Sequence, residues 1–209
     1  YIYSYFELTL NTMRKSLLFV WACMGLVCLM SACKTSVKSK EWKLVWVEDF
    51  DQKNSFDESV WTKIPRGTSD WNNYMSYYDS CYAMQDGNLI LRGIANHTQK
   101  NDTAPYLTGG VYTKGKKLFT GGRVEVCARL QAAKGAWPAI WMLPEKAEWP
   151  KGGEIDIMER LNHDRIAYQT THSYYTHILG IKDNPPHGGI NKINPEEYNI
   201  YSVDRNVSG

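Results

Sequence analysis

Along the chain, short apolar runs alternate with clusters of Gly, Asn, Asp and Pro. No stretch sustains a long 3.6-residue period, a heptad pattern or an internal repeat. Many brief runs with turn signals between them predict an all-β fold, a two-sheet antiparallel β-sandwich. The runs are Lys43–Val47, Asn88–Arg92 after the turn signal Asp86-Gly87, Gly110–Thr113 and Arg123–Leu130. The last alternates cleanly. Val124, Val126, Ala128 and Leu130 share one face, and Arg123, Glu125, Cys127 and Arg129 share the other, as in a strand with one buried side.

The stretch Gly152–Arg160 carries three carboxylates within six residues, Glu154, Asp156 and Glu159, separated by Ile155, Ile157 and Met158. Branched apolar residues favour a strand, whose alternate side chains face opposite ways. Glu154 and Asp156 then share a face, while Glu159 is out of phase by one residue. A single β-bulge near Met158 returns it to that face. Carboxyls held close together raise at least one pKa, so one can stay protonated while another is ionised. Glycoside hydrolysis needs such a pair, an acid and a carboxylate flanking the scissile bond. A solvated acidic strand face or a metal site of hard oxygen ligands fits the spacing as well. The spacing alone does not choose.

Residues 1–12 precede Met13 and read as upstream translation, outside the fold. From Met13 the chain has Arg14-Lys15, an apolar run from Leu17 to Met30, and Ser31-Ala32-Cys33. That order marks residues 13–33 as a secretory signal, too short and wrongly flanked for a membrane span. Met30–Cys33 resembles a bacterial lipobox. By that resemblance Cys33 is the lipidated first residue of a lipoprotein of the bacterial cell envelope, held at the outer membrane or cell surface. Residues 34–41 then form a polar tether, and residues 42–209 one catalytic-sized domain. Of the five cysteines, only Cys81 and Cys127 stay in the exported domain, where one disulfide is open to them. The chain has 24 basic and 22 acidic residues; without Arg14, Lys15 and Glu7 the balance is 22 to 21. This gives no support to a nucleic-acid or polyanion partner.

Seven of the eight tryptophans follow Cys33. Two of them, Trp137 and Trp141, stand four apart in Gly135–Pro144, so on a strand both indoles share a face. Indoles serve as platforms for sugar rings, and equally as core residues. Pro138 suits an edge or bent strand.

Taken together, these segments resemble glycoside hydrolase family 16, the group of laminarinases, lichenases, agarases and carrageenases. The matching text runs over most of residues 42–178. It includes Trp46–Asp51, Asn72-Asn73, Asp86–Leu89, Thr113–Gly115, Gly122–Glu125, Trp137–Pro144 and Gly153–Glu159. The resemblance implies a concanavalin A-like jelly roll with an open glycan cleft and a retaining mechanism. It implies Glu154 as nucleophile, Glu159 as acid and then base, and Asp156 as the residue that tunes and orients them. It implies sugar platforms at Trp137 and Trp141, a site role for His172, and sugar contacts at Asn73 and Arg92. No metal or organic cofactor is required; a structural calcium is compatible with the family but cannot be read from the residues. The expected partner is a polysaccharide, with membrane contact through the lipid alone and a monomeric state.

Within the family, the bulged motif and its Trp-Pro-Ala-Ile-Trp-Met-Leu-Pro context resemble the laminarinase-like branch, which cuts β-1,3- and mixed-linkage β-1,3/1,4-glucan. Arg160, His163 and Arg165 after the motif keep an agarase- or porphyranase-type galactan reading open. A non-catalytic glycan-binding lipoprotein and a structural envelope protein are further alternatives. Three departures from the pattern stand out. Glu48-Asp49 inverts the usual acidic order, and Cys127 replaces a frequent Arg. The family domain also continues for several strands beyond Gly209, so the sequence reading expects missing C-terminal strands, exposed edges and weak folding or activity.

Overall fold

The computed structural model describes residues 2–7, 42–52 and 54–206. The signal, Cys33 and tether readings therefore fall outside the described residues. In chain order the strands are β1 (Ile2–Glu7), β2 (Trp42–Glu48), β3 (Thr62–Lys63), β4 (Tyr82–Gln85), β5 (Asn88–Leu91), β6 (Gly93–Ala95) and β7 (Tyr106–Thr108). They continue as β8 (Val111–Tyr112), β9 (Gly122–Ala128), β10 (Ala139–Met142), β11 (Glu154–Glu159), β12 (Ile166–His172), β13 (Gly188–Lys192) and β14 (Asn199–Arg205). Among the described residues one α-helix, α1 (Tyr174–His177), lies between β12 and β13. Among the described residues no helix is long and apolar enough to cross a membrane.

Two four-stranded antiparallel sheets dominate, in the orders β14-β9-β1-β2 and β10-β11-β12-β13. Their facing sides build one core from Val124, Leu130, Ile157, Met158, Ala167 and Tyr201, with Val126, Ala128, Ile140, Met142 and Val203 packed against it. The alternation in 123–130 is thus realised as read, its apolar face turned to the other sheet. A side chain buried as completely as Met158 contributes roughly 1.5–3 kcal/mol of transfer free energy. The sandwich expected from the pattern of runs is the architecture observed.

A second cluster, Phe50, Phe56 and Trp61, lies under β2, β4, β5 and β8 and includes Trp46, Tyr82, Leu89 and Val111 at its margin. Glu48 is buried there, accepting from Phe50 N at 3.1 Å and from Trp61 Nε1 at 2.9 Å. Both of its oxygens are thereby satisfied, which explains how an acid is tolerated at this point of β2.

One expectation is corrected. Residues 2–7, read as lying outside the fold, form β1 between β2 and β9, pairing Ile2 with Glu48 on one side and with Val126 on the other. The segment Ile-Tyr-Ser-Tyr-Phe-Glu is rich in β-favouring residues, and it supplies ladder partners to both neighbouring strands. Cys81 is fully buried, Cys127 half-buried, and both are free thiols. Burial pushes the Cys81 thiol up. Apolar side chains do stand exposed on edge strands, Val45 on β2, Ile190 on β13 and Ile200 on β14.

Candidate active site

The three carboxylates sit on β11, second strand of its sheet. Against β12, Glu154 opposes His172, Asp156 opposes Thr170 and Glu159 opposes Tyr168. Three steps on β11 therefore match two on β12, which is a bulge with one extra residue. The β10 ladder shows the same slip, Trp141 opposing Asp156 while Ile140 opposes Met158. Ile157 and Met158 both turn into the core, 2% and 0% exposed. Glu159 thereby comes back to the side of Glu154 and Asp156, as the sequence spacing required. The two glycines before the strand have their own causes. Gly153 has φ +77°, and a Cβ there would meet His172 O; a Cβ on Gly152 would strike Pro144 and Ala147.

Asp156 is the buried member of the set, and Glu154 and Glu159 are half-buried. Burial, then the nearby charges of Glu159 and Glu154, pushes the Asp156 carboxyl up to about 7. At neutral pH it is poised between a hydrogen-bond donor and an anion. His172 Nε2 lies 3.1 Å from Asp156 Oδ2.

Each outer carboxylate receives an indole. Trp137 Nε1 donates to Glu159 Oε1 at 2.8 Å, and Trp149 Nε1 donates to Glu154 Oε2 at 2.7 Å. Trp137 and Trp149 are both close to half exposed, so their rings also border solvent. Trp141 stands opposite Asp156 and meets Trp71 edge-on, with centroids 5.5 Å apart. Trp137 precedes β10 instead of lying on it. Its segment is tied to the end of β11 by Arg160 N donating to Pro138 O and Asn162 N donating to Ala136 O. Among the described strands β10 is a sheet edge, as Pro138 suggested.

Of the residues expected from sequence, Trp137, Trp141 and His172 are brought to the carboxylates. Asn73 lies in the turn that carries Trp71, and its Oδ1 is buried with no hydrogen-bond partner. Arg92 is exposed; its guanidinium reaches Ser80 O at 3.4 Å and its backbone pairs with Cys81 and Gly109, all away from the carboxylates' own contacts. Two residues that sequence reasoning passed over stand at the site, Trp149 and His177, whose rings meet with centroids 4.5 Å apart. The one available signal was Trp149's position five residues before Glu154, in a loop of Pro and Gly where periodicity says nothing. Among the described residues, Glu154, Asp156 and His172 also bring three potential metal-ligand atoms within 4.8 Å of one another. A cation there would compete with the Trp149 contact on Glu154 and the His172 contact on Asp156.

Residues 77–187, more than half of the chain, match the family described as "XgeA-like, catalytic GH16 domain". The chain belongs to glycoside hydrolase family 16. Its relatives within this broad family include a keratan-sulfate endo-1,4-β-galactosidase of Sphingobacterium multivorum, 38% identical over 174 residues. That match takes in 81% of this chain and 40% of the relative, so the chain spans well under half of that protein's length. A β-glucanase of Rhodothermus marinus is 30% identical over 204 residues, 92% of this chain and 68% of the glucanase. The solved laminarinase from Rhodothermus marinus superposes with a TM-score of 0.69 at 29% identity, covering 80% of this chain and 69% of that one. The sandwich is thus the family 16 fold.

Proposed function

We propose that the chain is an endo-acting, retaining glycoside hydrolase that cleaves β-1,3- or mixed-linkage β-1,3/1,4-glucan. The observation that carries this reading is the bulged β11. It puts Glu154, Asp156 and Glu159 on one side of the sheet, with an indole N–H on each outer carboxylate. In the first step Glu154, as carboxylate, attacks the anomeric carbon and forms a glycosyl-enzyme, while Glu159 passes its proton to the departing glycosidic oxygen. In the second, Glu159 takes a proton from water, whose oxygen displaces Glu154 and restores both residues. Two inversions give net retention, and such a mechanism holds the two carboxyls ~5–5.5 Å apart. Asp156, poised near neutrality, can donate to a neighbouring carboxylate in one step and accept in the other. Trp137 and Trp141 offer ring faces for sugars, and Asn73 belongs to the same turn as Trp71, whose ring meets that of Trp141.

The glucan assignment draws on the β-glucanase and laminarinase relatives. A second reading, an endo-β-galactosidase, is favoured by one specific observation, the 38% identity to the keratan-sulfate enzyme over most of the chain. Incubation with laminarin, barley β-glucan, keratan sulfate and agarose, followed by reducing-end assay and NMR of the first-formed anomer, separates the two. Laminarin or barley glucan cut with retention supports the first reading; cleavage confined to keratan sulfate or agarose replaces it with the second. Glu154→Gln should lose at least about a thousandfold in kcat, the scale of removing a covalent nucleophile; full activity in that variant ends the nucleophile assignment. Export and lipid attachment through Cys33 belong to the same reading, as the chemistry that would bring the enzyme to an extracellular polysaccharide.

A further inference from the structure

Glu154 is held by an indole from the loop before β11, and that indole is in turn met by a ring from helix α1. Trp149 belongs to the segment between β10 and β11, and its indole N–H reaches Glu154 Oε2 at 2.7 Å. The indole ring in turn meets the imidazole of His177 edge-on, at 4.5 Å between centroids and 64° between planes. It also stands 6.5 Å from His172, the residue paired with Glu154 across the ladder. His177 closes the four-residue helix α1, whose start is fixed by a reciprocal cap. Thr176 N donates to Ser173 Oγ and Ser173 N donates to Thr176 Oγ1, each at 3.2 Å. On the other flank Gly152 lets its loop close against Pro144 and Ala147. A half-exposed indole would ordinarily sample several rotamers; here one edge is tied to a carboxylate and the ring is braced by an imidazole from helix α1.

We propose that Trp149, braced by His177, is the positioning residue for the nucleophile Glu154. The inference rests on the glycosidase reading above, since it assumes that Glu154 attacks the anomeric carbon. A glutamate side chain has three rotatable bonds, and attack requires one oxygen aligned within a few tenths of an ångström. An N–H from a fixed ring holds Oε2 by a charge-assisted bond and leaves Oε1 to face the sugar. A sugar platform works through the ring face, whereas the indole N–H lies in the ring plane. The two roles are therefore separable by chemistry. Phenylalanine keeps the face and lacks the donor. His177 contributes through its ring contact with Trp149, not through an acid–base step, so another aromatic ring at 177 should serve.

The test is made on the whole chain with the polysaccharide that the wild type cuts. Trp149→Phe should lower kcat about 10- to 100-fold, the rate equivalent of one charge-assisted hydrogen bond, with KM changed by less than about threefold and Tm unmoved. His177→Ala should lower kcat by a smaller factor, and His177→Phe should restore it. In 15N-labelled protein the indole N–H of Trp149 should exchange slowly, and its resonance should shift in Glu154→Gln. A Trp149→Phe variant with normal kcat and raised KM would show a sugar platform alone and overturn the proposal. So would a freely exchanging indole proton indifferent to Glu154→Gln. Equal loss in His177→Ala and His177→Phe would overturn the brace. Failure of the wild type on every polysaccharide, with the indole proton still protected, would instead place the fault in the glycosidase reading.

Discussion

Asp156 gives the prediction with the most quantitative content. Its carboxyl ionises near 3.8 in an unfolded chain and at about 7 in the folded one. Between those values the unfolded state has released its proton and the folded state has kept it, so the unfolded chain gains the advantage as pH rises. The contribution to stability is therefore fully present below about pH 4 and is lost as pH rises through about 7. A gap of about three pH units is worth about 4 kcal/mol at 1.36 kcal/mol per unit, as an order of magnitude. Asp156→Asn keeps the shape and does not titrate. The stability of the wild type relative to this variant should thus fall by up to about 4 kcal/mol from pH 4 to pH 8 and then level off. Urea unfolding followed by tryptophan fluorescence at intervals of one pH unit reads this directly. A flat difference, or one that grows with pH, would refute the reasoning. The variant should also turn over more slowly, so stability and activity would move in opposite directions.

Other consequences are simpler to state. Met158→Ala empties a fully buried position and should destabilise by roughly 2–5 kcal/mol in urea unfolding, while Met158→Leu should lose less than about 1.5 kcal/mol and keep its activity. Activity lost in a stably folded Met158→Leu variant would mean the side chain, and not the bulged backbone, sets the site. On the proposal that Cys33 carries lipid, Cys33→Ser should move the protein from the detergent phase to the aqueous phase in a detergent-partitioning assay. A wild type that already partitions into water would end the lipid-anchor reading.

The sandwich and the carboxylate face were legible in the sequence because a strand has a period of two and both features are statements about that period. Val124, Val126, Ala128 and Leu130 mark a buried side wherever the strand lies, and the mismatch between Asp156 and Glu159 by itself demands one extra residue in the strand. What could not be read depends on meetings between segments distant in sequence. Trp149 and His177 are 28 residues apart, one in a loop and the other in a four-residue helix, too short for periodicity to speak, and only the paired sheets bring the two rings together beside Glu154. Trp137 was legible as a site residue, but its donor contact with Glu159 was not, because the direction of a side chain ahead of a strand is set by tertiary contacts. Residues 2–7 misled in the opposite direction. A brief β-favouring run has little local meaning, and its place between β2 and β9 comes from the pairing those strands offer.

The bulge in β11 makes the centre a matter of parity. Between Asp156 and Glu159 the chain must hold an even number of residues, two, for both acids to look the same way across an interval that an unbulged strand would span with one. Residue identity at 157 and 158 is thus open to exchange among apolar groups of similar volume. Residue number is not. Loss or gain of a single codon there would leave composition, charge and nearly all of the core intact, yet with the bulge kept it would turn Glu159 to the core side, and only removal of the bulge at the same time would bring the acid back beside Asp156. A lineage could trade many side chains in this strand gradually, but it can change the count only by rebuilding the acid's position at the same time.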